Sequence, residues 1–368
     1  MAKKPVVIYG ANGYTGRLIA EYLREYQIPF IAAGRSREKI EDVMSRVPGI
    51  ETADYEVVEV KDTVEDLTEL LTGCKVLCNT VGPFVKYAET AIQASLNAGV
   101  HYIDTSGEQE YLRTIKEKFG PAYAEKGLVL SPSTAYMHAP LDIAANIVLE
   151  NEAIHTLECS VLVQGIPTFG STQTIFAMLG LENCFLQDNE YVEWPRAKGY
   201  EVSFPGRLAT NLCHPWGGGP LPVWFKDTPQ VRNLRQLTAF NNREMFEQLI
   251  DLQKHYEENI RPLPKEEAEA MMSKMAADMQ PGMPPRENRL IHQSFDVVCG
   301  RGNSETRTCI IRSGPPYLMT GALQAAAADK LLSSGPEKVG FASPCEAFGY
   351  KYLLGAMKNF FPTEVEIF

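Results

Sequence analysis

The chain has 368 residues, of which 45% are hydrophobic and 22% charged, the balance of a globular protein with an ample core. Its formal net charge of −11 argues against nucleic acid or an anionic membrane surface as a partner. No apolar stretch is long enough to span a bilayer, and Met-Ala-Lys-Lys-Pro leads directly into a strand, so we expect a cytoplasmic protein without a signal peptide. Eight cysteines form no C-x-x-C pair or Cys/His cluster, and no metal site is predicted.

The first predicted elements are a short apolar strand, a glycine-rich turn and a helix. Val6–Tyr9 runs into three glycines spaced three apart, and residues 17–26 are helix-like. In a dinucleotide-binding unit, Gly10 would permit the tight turn, Gly13 the approach of a pyrophosphate, and Gly16 close packing of the helix. Such triplets also occur at ordinary strand-to-helix corners. The position of these glycines between a buried strand and a helix favours a dinucleotide-binding turn.

The second predicted strand, residues 28–33, indicates which dinucleotide is bound. NAD-binding folds place an acidic side chain near this point, about 20 residues past the glycines, and this chain has none. It has Arg35, with Ser36, Arg37 and Lys39 close behind. A guanidinium can bind a 2′-phosphate with two parallel hydrogen bonds. A solvated basic helix start is the alternative, but cations there oppose the helix dipole, so the pattern favours NADP.

Strand and helix signals alternate through the first 160 residues, which predicts a doubly wound parallel sheet of the Rossmann type. Ligands bind beyond the carboxyl ends of the strands in such sheets. Those ends carry Gly10, Gly34-Arg35, Asp62, the segments 80–84 and 104–107, and the segment 131–139.

The pattern changes near residue 157 and predicts a second, α+β domain. We expect a strand over 157–164, a helix over 175–186, polar helices over 242–280, a linker over 280–285 and paired strands over 295–300 and 306–312, followed by helices over 317–332 and 347–360. The predicted domains are residues 1–156, 157–315 and 316–368.

Four ordered motifs in the first 150 residues carry a family resemblance. They are GANGYTG at 10–16, AGRS at 33–36, CNTVGPF at 78–84 and AGVHYIDTSGE at 98–108, with a weaker return at 316–320 and 340–344. This part of the chain resembles the saccharopine dehydrogenase-like NADP-binding reductase superfamily, which includes proteins named trans-acting enoyl reductases. Between about 165 and 290 no pattern is recognised.

The resemblance implies an NADP(H)-binding Rossmann domain, a mixed α/β substrate domain, and C-terminal helices that pack back on the Rossmann part. By motif, the pyrophosphate would be lined by Gly10, Asn12, Gly13, Tyr14, Thr15 and Gly16. The 2′-phosphate would meet Arg35 and Ser36, and Asp62 would lie on the adenine side. The nicotinamide ribose would be bordered by Thr80, Val81, Gly82, Pro83 and Phe84.

Hydride transfer can be assisted by a side chain that donates a proton. Tyr136 and His138 are the first candidates, because they lie in the loop 131–142, where the sequence departs from the family pattern, and Tyr87 is a third. A core tyrosine and a hydrogen-bonded histidine are the alternative reading. No tyrosine has a lysine four residues later, so the dyad of short-chain dehydrogenases is absent.

The substrate has to be inferred from the segment 165–240, which is rich in Trp, Phe, Pro and Gly. Aromatic-lined clefts favour apolar ligands, so we expect reduction of a C=C or C=O bond in a hydrophobic, lipid- or polyketide-like substrate. The aromatic residues could equally be ordinary core. An amino-acid imine would require clustered cations, whereas Arg196, Arg207, Arg232 and Arg235 are dispersed.

A non-catalytic NADP-sensing or scaffold protein is the alternative from another class. The apolar C-terminal helix and the methionine-rich segment 271–279 offer a face for a homodimer.

Overall fold

The structure, a computed structural model, describes residues 3–279 and 284–368. Contacts within the chain define two compact units. The first comprises the chain up to Ser106, Tyr111–Ile143 and Tyr317–Pro362, and the second comprises Gly107–Glu110, Ala144–Pro316 and Thr363–Phe368. The C-terminal helices therefore belong to the first unit, as the resemblance implies. The domain boundaries expected after residues 156 and 315 stay a prediction.

Strands and α-helices alternate along much of the described chain. The strands are β1 (Val6–Tyr9), β2 (Phe30–Gly34), β3 (Tyr55–Glu59), β4 (Val76–Asn79), β5 (His101–Asp104), β6 (Val129–Ser131), β7 (Thr156–Val163), β8 (Cys184–Gln187), β9 (Glu190–Glu193), β10 (Tyr200–Val202), β11 (Asn211–Cys213), β12 (Asn233–Phe240), β13 (Ser294–Arg301), β14 (Thr306–Ser313), β15 (Gly340–Phe341) and β16 (Glu364–Ile367). The α-helices are α1 (Tyr14–Glu25), α2 (Arg37–Met44), α3 (Val64–Leu71), α4 (Phe84–Ala98), α5 (Gln109–Glu125), α6 (Ala139–Leu149), α7 (Phe169–Met178), α8 (Leu221–Phe225), α9 (Arg243–His255), α10 (Lys265–Asp278), α11 (Pro316–Ser333), α12 (Pro344–Phe348) and α13 (Tyr350–Phe360).

The first unit contains a parallel sheet in the strand order β15-β6-β5-β4-β1-β2-β3. The residues of β1, an interior strand of this sheet, are at most 2% exposed, which explains why that strand is apolar without interruption. Helices alternate with the strands along the chain. The predicted doubly wound Rossmann sheet is therefore confirmed.

The strands of this sheet end in register at one edge. Tyr9 pairs with Ala33 on β2 and with Asn79 on β4, and Asn79 pairs with Asp104 on β5. The strand order reverses between β1 and β4, and ligands of open α/β sheets bind at such a reversal. The loops after these strands therefore gather where a cofactor is expected.

The second unit is built on a mixed sheet in the order β16-β14-β13-β7-β12-β8-β9, in which only β7 and β12 run parallel. Strands β10 and β11 form a separate antiparallel ribbon. One face of the large sheet contributes to an apolar cluster of Leu162, Phe204, Cys213, Ala239, Val297 and Ile310. The expectation of an α+β architecture is confirmed.

Two predicted helices differ from the structure. The helix expected over 175–186 ends at Met178, and Cys184–Gln187 forms a strand that pairs with β9. Asp188 and Asn189 join the two strands with φ values of +50° and +61°, as a two-residue hairpin turn requires. Strand pairing across this turn thus outweighs the helix propensity of residues 184–186.

The helix expected over 347–360 is divided between α12 and α13. Gly349 separates them with a φ of +82°, which a helix cannot accommodate. Most of the linker expected over 280–285 lies outside the described residues. Within them, no helix is long and apolar enough to cross a membrane.

A carboxylic acid is buried within the sheet of the second unit. Asp296 on β13 lies between Val161 and Ile311 of the neighbouring strands and is 0% exposed. Neither of its carboxylate oxygens has a hydrogen-bond partner among the described residues. Burial raises the pKa of Asp296 well above its ordinary value.

Replacing Asp296 by asparagine should stabilise the protein at neutral and alkaline pH. The pKa of Asp296 is higher in the folded state than its unfolded value of about 3.9. The contribution of Asp296 to stability is therefore complete only below that unfolded value, and it is lost as the pH rises. We expect Asp296→Asn to raise the melting temperature by at least about 2 °C at about pH 8, and by less at about pH 5. Glu305→Gln, in the exposed turn between β13 and β14, is the control. A pH-independent difference between Asp296→Asn and wild type would contradict this expectation.

Candidate functional site

The turn after β1 is closed against the loop after β4. Gly10 has a φ of +89°, a conformation that side chains disfavour. A Cβ atom at this position would lie 2.6 Å from Thr80 Oγ1 and 3.0 Å from Val81 Cγ2. Only glycine fits this corner without displacing the loop after β4.

The start of α1 approaches the same turn equally closely. A Cβ atom on Gly16 would lie 2.5 Å from the Gly10 carbonyl oxygen and 2.8 Å from Ala11 Cα. Gly13 is the N-cap residue of α1. Among the described residues no side-chain hydrogen bond caps the helix, and its first turn holds no acidic residue. The positive end of α1, beside the glycine turn, is therefore suited to bind a pyrophosphate.

The residues predicted for the adenine end lie together at the same edge. The Tyr9 hydroxyl donates a hydrogen bond to Asp62 Oδ1 at 3.0 Å. Burial and the Asp62 carboxylate raise the pKa of Tyr9, and the positive charge of Arg35 opposes that shift. Asn12 Oδ1 lies 3.2 Å from the position of a Cβ atom on Gly34. The structure thus brings the glycine turn, the end of β2 and Asp62 together.

The start of α2 contacts an acidic residue that the sequence motifs did not indicate. Ser36 is the N-cap, and its Oγ accepts the Lys39 backbone N–H at 3.4 Å. Glu59 Oε2 accepts the Arg37 backbone N–H at 2.9 Å. Glu59 pairs with Gly34 across the parallel strands β3 and β2, so the strand register could have indicated this proximity.

The loop after β4 is held by hydrogen bonds. Thr80 Oγ1 donates to the carbonyl oxygens of Tyr9 (3.0 Å) and Gly10 (3.1 Å), and the Val81 backbone N–H donates to Asn79 Oδ1 at 3.0 Å. The segment continues through Gly82 to Pro83, the N-cap of α4, and then to the buried Phe84. The predicted nicotinamide-side residues therefore form one ordered loop beside the glycine turn.

A buried carboxylate organises the neighbouring loops. Asp104 Oδ1 accepts hydrogen bonds from Ser106 N (2.9 Å), Ser106 Oγ (2.6 Å) and Ser133 N (2.8 Å). Its Oδ2 accepts from Tyr111 OH (2.6 Å) and Tyr102 OH (3.1 Å). Burial raises the pKa of Asp104, and the hydrogen bonds from Ser106, Tyr111 and Ser133 oppose that shift. These bonds join the loops after β5 and β6.

The three candidate proton donors occupy different environments. Tyr136 is half-buried in the loop before α6, where its backbone N–H donates to Thr320 Oγ1 at 3.2 Å. His138 is buried, and burial lowers its pKa to about 3, so its ring is neutral near pH 7. Tyr87 lies on α4 and is 45% exposed.

The aromatic residues of the second unit pack largely against one another. The Trp216 ring stacks on Phe246 at 5.6 Å and contacts Phe240 at 5.3 Å. The Trp194 ring lies 4.7 Å from that of Phe185 and 5.1 Å from that of Tyr200. These contacts indicate that the side chains belong to the hydrophobic core rather than line a cleft.

Two family models together account for most of the chain. Residues 6–130 match the "Saccharopine dehydrogenase NADP binding domain", and residues 140–364 match the "Family of unknown function (DUF5938)". Over the whole chain, the fold is similar to that of apo histidine-tagged saccharopine dehydrogenase (L-Glu forming) from Saccharomyces cerevisiae. That comparison covers 99% of this chain and 100% of the yeast chain, with a TM-score of 0.60 and 10% identity.

Curated relatives match over a shorter length. The "Lipid droplet localized protein" of Caenorhabditis elegans is 29% identical over 160 residues, 41% of this chain and 37% of that protein. The human "Saccharopine dehydrogenase-like oxidoreductase" is 31% identical over 152 residues, 38% of this chain and 35% of the relative. The "Trans-acting enoyl reductase" of Mycobacterium ulcerans is 28% identical over 142 residues, 38% of this chain and 34% of the relative. The chain thus spans little more than a third of the length of these proteins.

The matched segments identify the first domain and the family of the chain. Residues 6–130 form an NADP(H)-binding domain of the saccharopine dehydrogenase type, and the chain, with 140–364 matched by its model, belongs to the DUF5938 family.

Proposed function

We propose that the protein is an NADPH-dependent oxidoreductase that reduces a C=C or C=O bond of a hydrophobic small molecule. The observation that carries this proposal is the tight glycine turn beside the uncapped start of α1, within a domain of the NADP-binding type. Bound NADPH would supply the hydride. Gly10, Gly13 and Gly16 would let the backbone approach the pyrophosphate, while Arg35 and Ser36 would meet the 2′-phosphate.

The surroundings of the arginines in the segment 165–240 support the proposal of an uncharged substrate. An amino-acid imine carries carboxylates, which require cations that are available to the substrate. Three of the four arginines in the segment 165–240 instead form ion pairs within the chain. These pairs are Arg196–Glu257 (3.0 Å), Arg232–Asp188 (2.9 Å) and Arg235–Glu158 (3.8 Å). The names of the enoyl reductase relatives also favour a C=C bond.

Tyr136 is the proton donor that we propose first. A phenol keeps its proton at neutral pH, whereas the buried ring of His138 cannot act there as a charged acid, because burial lowers its pKa to about 3. His138 would instead act as a neutral hydrogen-bonding group near Tyr136 in the chain. Tyr87, on the exposed side of α4, is the third candidate.

Location and assembly complete the proposal. We retain a cytoplasmic homodimer as the expectation, and the lipid droplet name of one relative adds a second location to examine. Light scattering on the purified protein would measure the assembly, and fluorescence microscopy of a tagged protein would determine the location.

Gly13→Ala should weaken NADPH binding with little effect on folding. Its φ of −78° suits alanine, but the new Cβ would lie 3.2 Å from the Gly10 carbonyl oxygen, at the turn where we propose that the pyrophosphate binds. We expect the dissociation constant to rise about tenfold, equivalent to about 1.4 kcal/mol. NADPH fluorescence measures this change. Gly355→Ala, whose Cβ would meet no atom within 4 Å, is the control. Unchanged binding by Gly13→Ala would contradict this placement of the pyrophosphate.

Tyr136→Phe should lower kcat about 100-fold while NADPH binding is retained, because only the proton donor is lost. Turnover is followed by the loss of NADPH absorbance with enones, ketones and imines. Tyr55→Phe, on β3 and stacked on Phe30, is the matched control. Wild-type activity in Tyr136→Phe would exclude this role. Turnover of imines alone would favour the amino-acid substrate, and NADPH binding without any turnover would favour the sensing protein.

The pH dependence of kcat/KM should contain no inflection from His138. Its pKa of about 3 keeps the ring neutral throughout the range from about pH 5 to about pH 8. Profiles of wild type and His138→Asn are therefore expected to have the same shape, whatever their height. An inflection near pH 6.5 that disappears in His138→Asn would contradict the neutral state.

A further inference from the structure

The positive end of α2 is occupied by the chain's own carboxylate. Glu59 is the last residue of β3, and its Oε2 accepts the N–H of Arg37, the first residue of α2, at 2.9 Å. Ser36 Oγ accepts a second N–H of the same turn, that of Lys39. The first helical turn therefore already has an anionic partner.

The start of α1 differs in this respect. In the part of the chain that the structure describes, no side-chain hydrogen bond caps α1, and no acidic residue lies in its first turn. The starts of α1 and α2 at the carboxyl edge of the sheet thus differ, because only that of α2 donates a backbone N–H to a carboxylate. This difference bears directly on how the two ends of the dinucleotide are bound.

A 2′-phosphate on Arg35 and Ser36 would share the start of α2 with Glu59. The phosphate carries about −1.5 to −2 charges at pH 7, so the carboxylate repels it and competes for the same backbone N–H. Cofactor NADH has a 2′-hydroxyl in its place, which can donate a hydrogen bond to a carboxylate. Glu59 therefore opposes the cofactor that Arg35 favours.

We propose that Glu59 is a specificity-determining residue that reduces the preference of the site for NADP(H) over NAD(H). The inference rests on the proposed contact of the 2′-phosphate with Arg35 and Ser36. Glu59 caps α2 when the 2′-phosphate is absent and yields the Arg37 N–H when the phosphate binds. The chain would consequently bind both cofactors, with a preference set by the balance of Arg35 against Glu59.

Direct binding measurements test this proposal without requiring a substrate. NADPH and NADH are titrated separately into the full chain, and their fluorescence gives two dissociation constants. We expect Glu59→Gln to bind NADPH about tenfold more tightly, equivalent to about 1.4 kcal/mol, and NADH no more tightly than wild type does. The glutamine keeps a carbonyl oxygen for the Arg37 N–H but removes the negative charge.

Two further variants test whether the effect is specific to Glu59 and whether the 2′-phosphate binds at Arg35. Glu56→Gln, an exposed residue three positions earlier on the same strand, should leave both dissociation constants unchanged. Arg35→Ala should weaken NADPH binding selectively, and failure of that result would refute the placement of the 2′-phosphate in the proposed function. An unchanged ratio of NADPH to NADH affinity in Glu59→Gln would overturn the role of Glu59, whatever Arg35→Ala shows.

Discussion

The buried carboxylate of Asp104 holds together the edge of the sheet at which the cofactor is expected. Its oxygens accept hydrogen bonds from the loops after β5 and β6, through Ser106 and Ser133. Gln324 on α11 joins the same edge to the C-terminal helices, since its Nε2 donates to the carbonyl oxygens of Asp104 and Thr134 at 2.8 Å each. A buried carboxylate without these donors would be strongly unfavourable, so the loops cannot separate without a large cost in free energy.

The glycine turn is the second element that fixes this edge. Gly10 and Gly16 leave no space for a Cβ atom, so α1 can start directly beside the end of β1. Thr80 bonds across the turn and brings the loop after β4 into the same arrangement. Close packing of the backbone therefore shapes the turn at which the pyrophosphate is expected.

Much of the first unit could be predicted from local sequence, because parallel strands that end in register bring their following loops together. Arg35 and Asp62 were therefore predictable as neighbours. Glu59 was missed because its partner, the Arg37 N–H, is identified only by the register of β3 against β2. The predicted helix over 175–186 was wrong at its end because pairing with β9 decides the structure of residues 184–186. Such long-range pairing has no signal within a short window of sequence.

The charges along this edge differ between its two ends. Charged side chains lie at the end where the adenine is expected, with Arg35, Asp62 and Glu59 around the ends of β2 and β3. The loop of residues 80–84 carries no ionisable side chain, and the nearby Asp104 carboxylate is enclosed by its hydrogen-bond donors. A neutral reduced nicotinamide and the proposed uncharged C=C or C=O bond suit the uncharged side chains of residues 80–84. The positions that we propose for the phosphates and for an apolar substrate both follow from this division of charge along the edge.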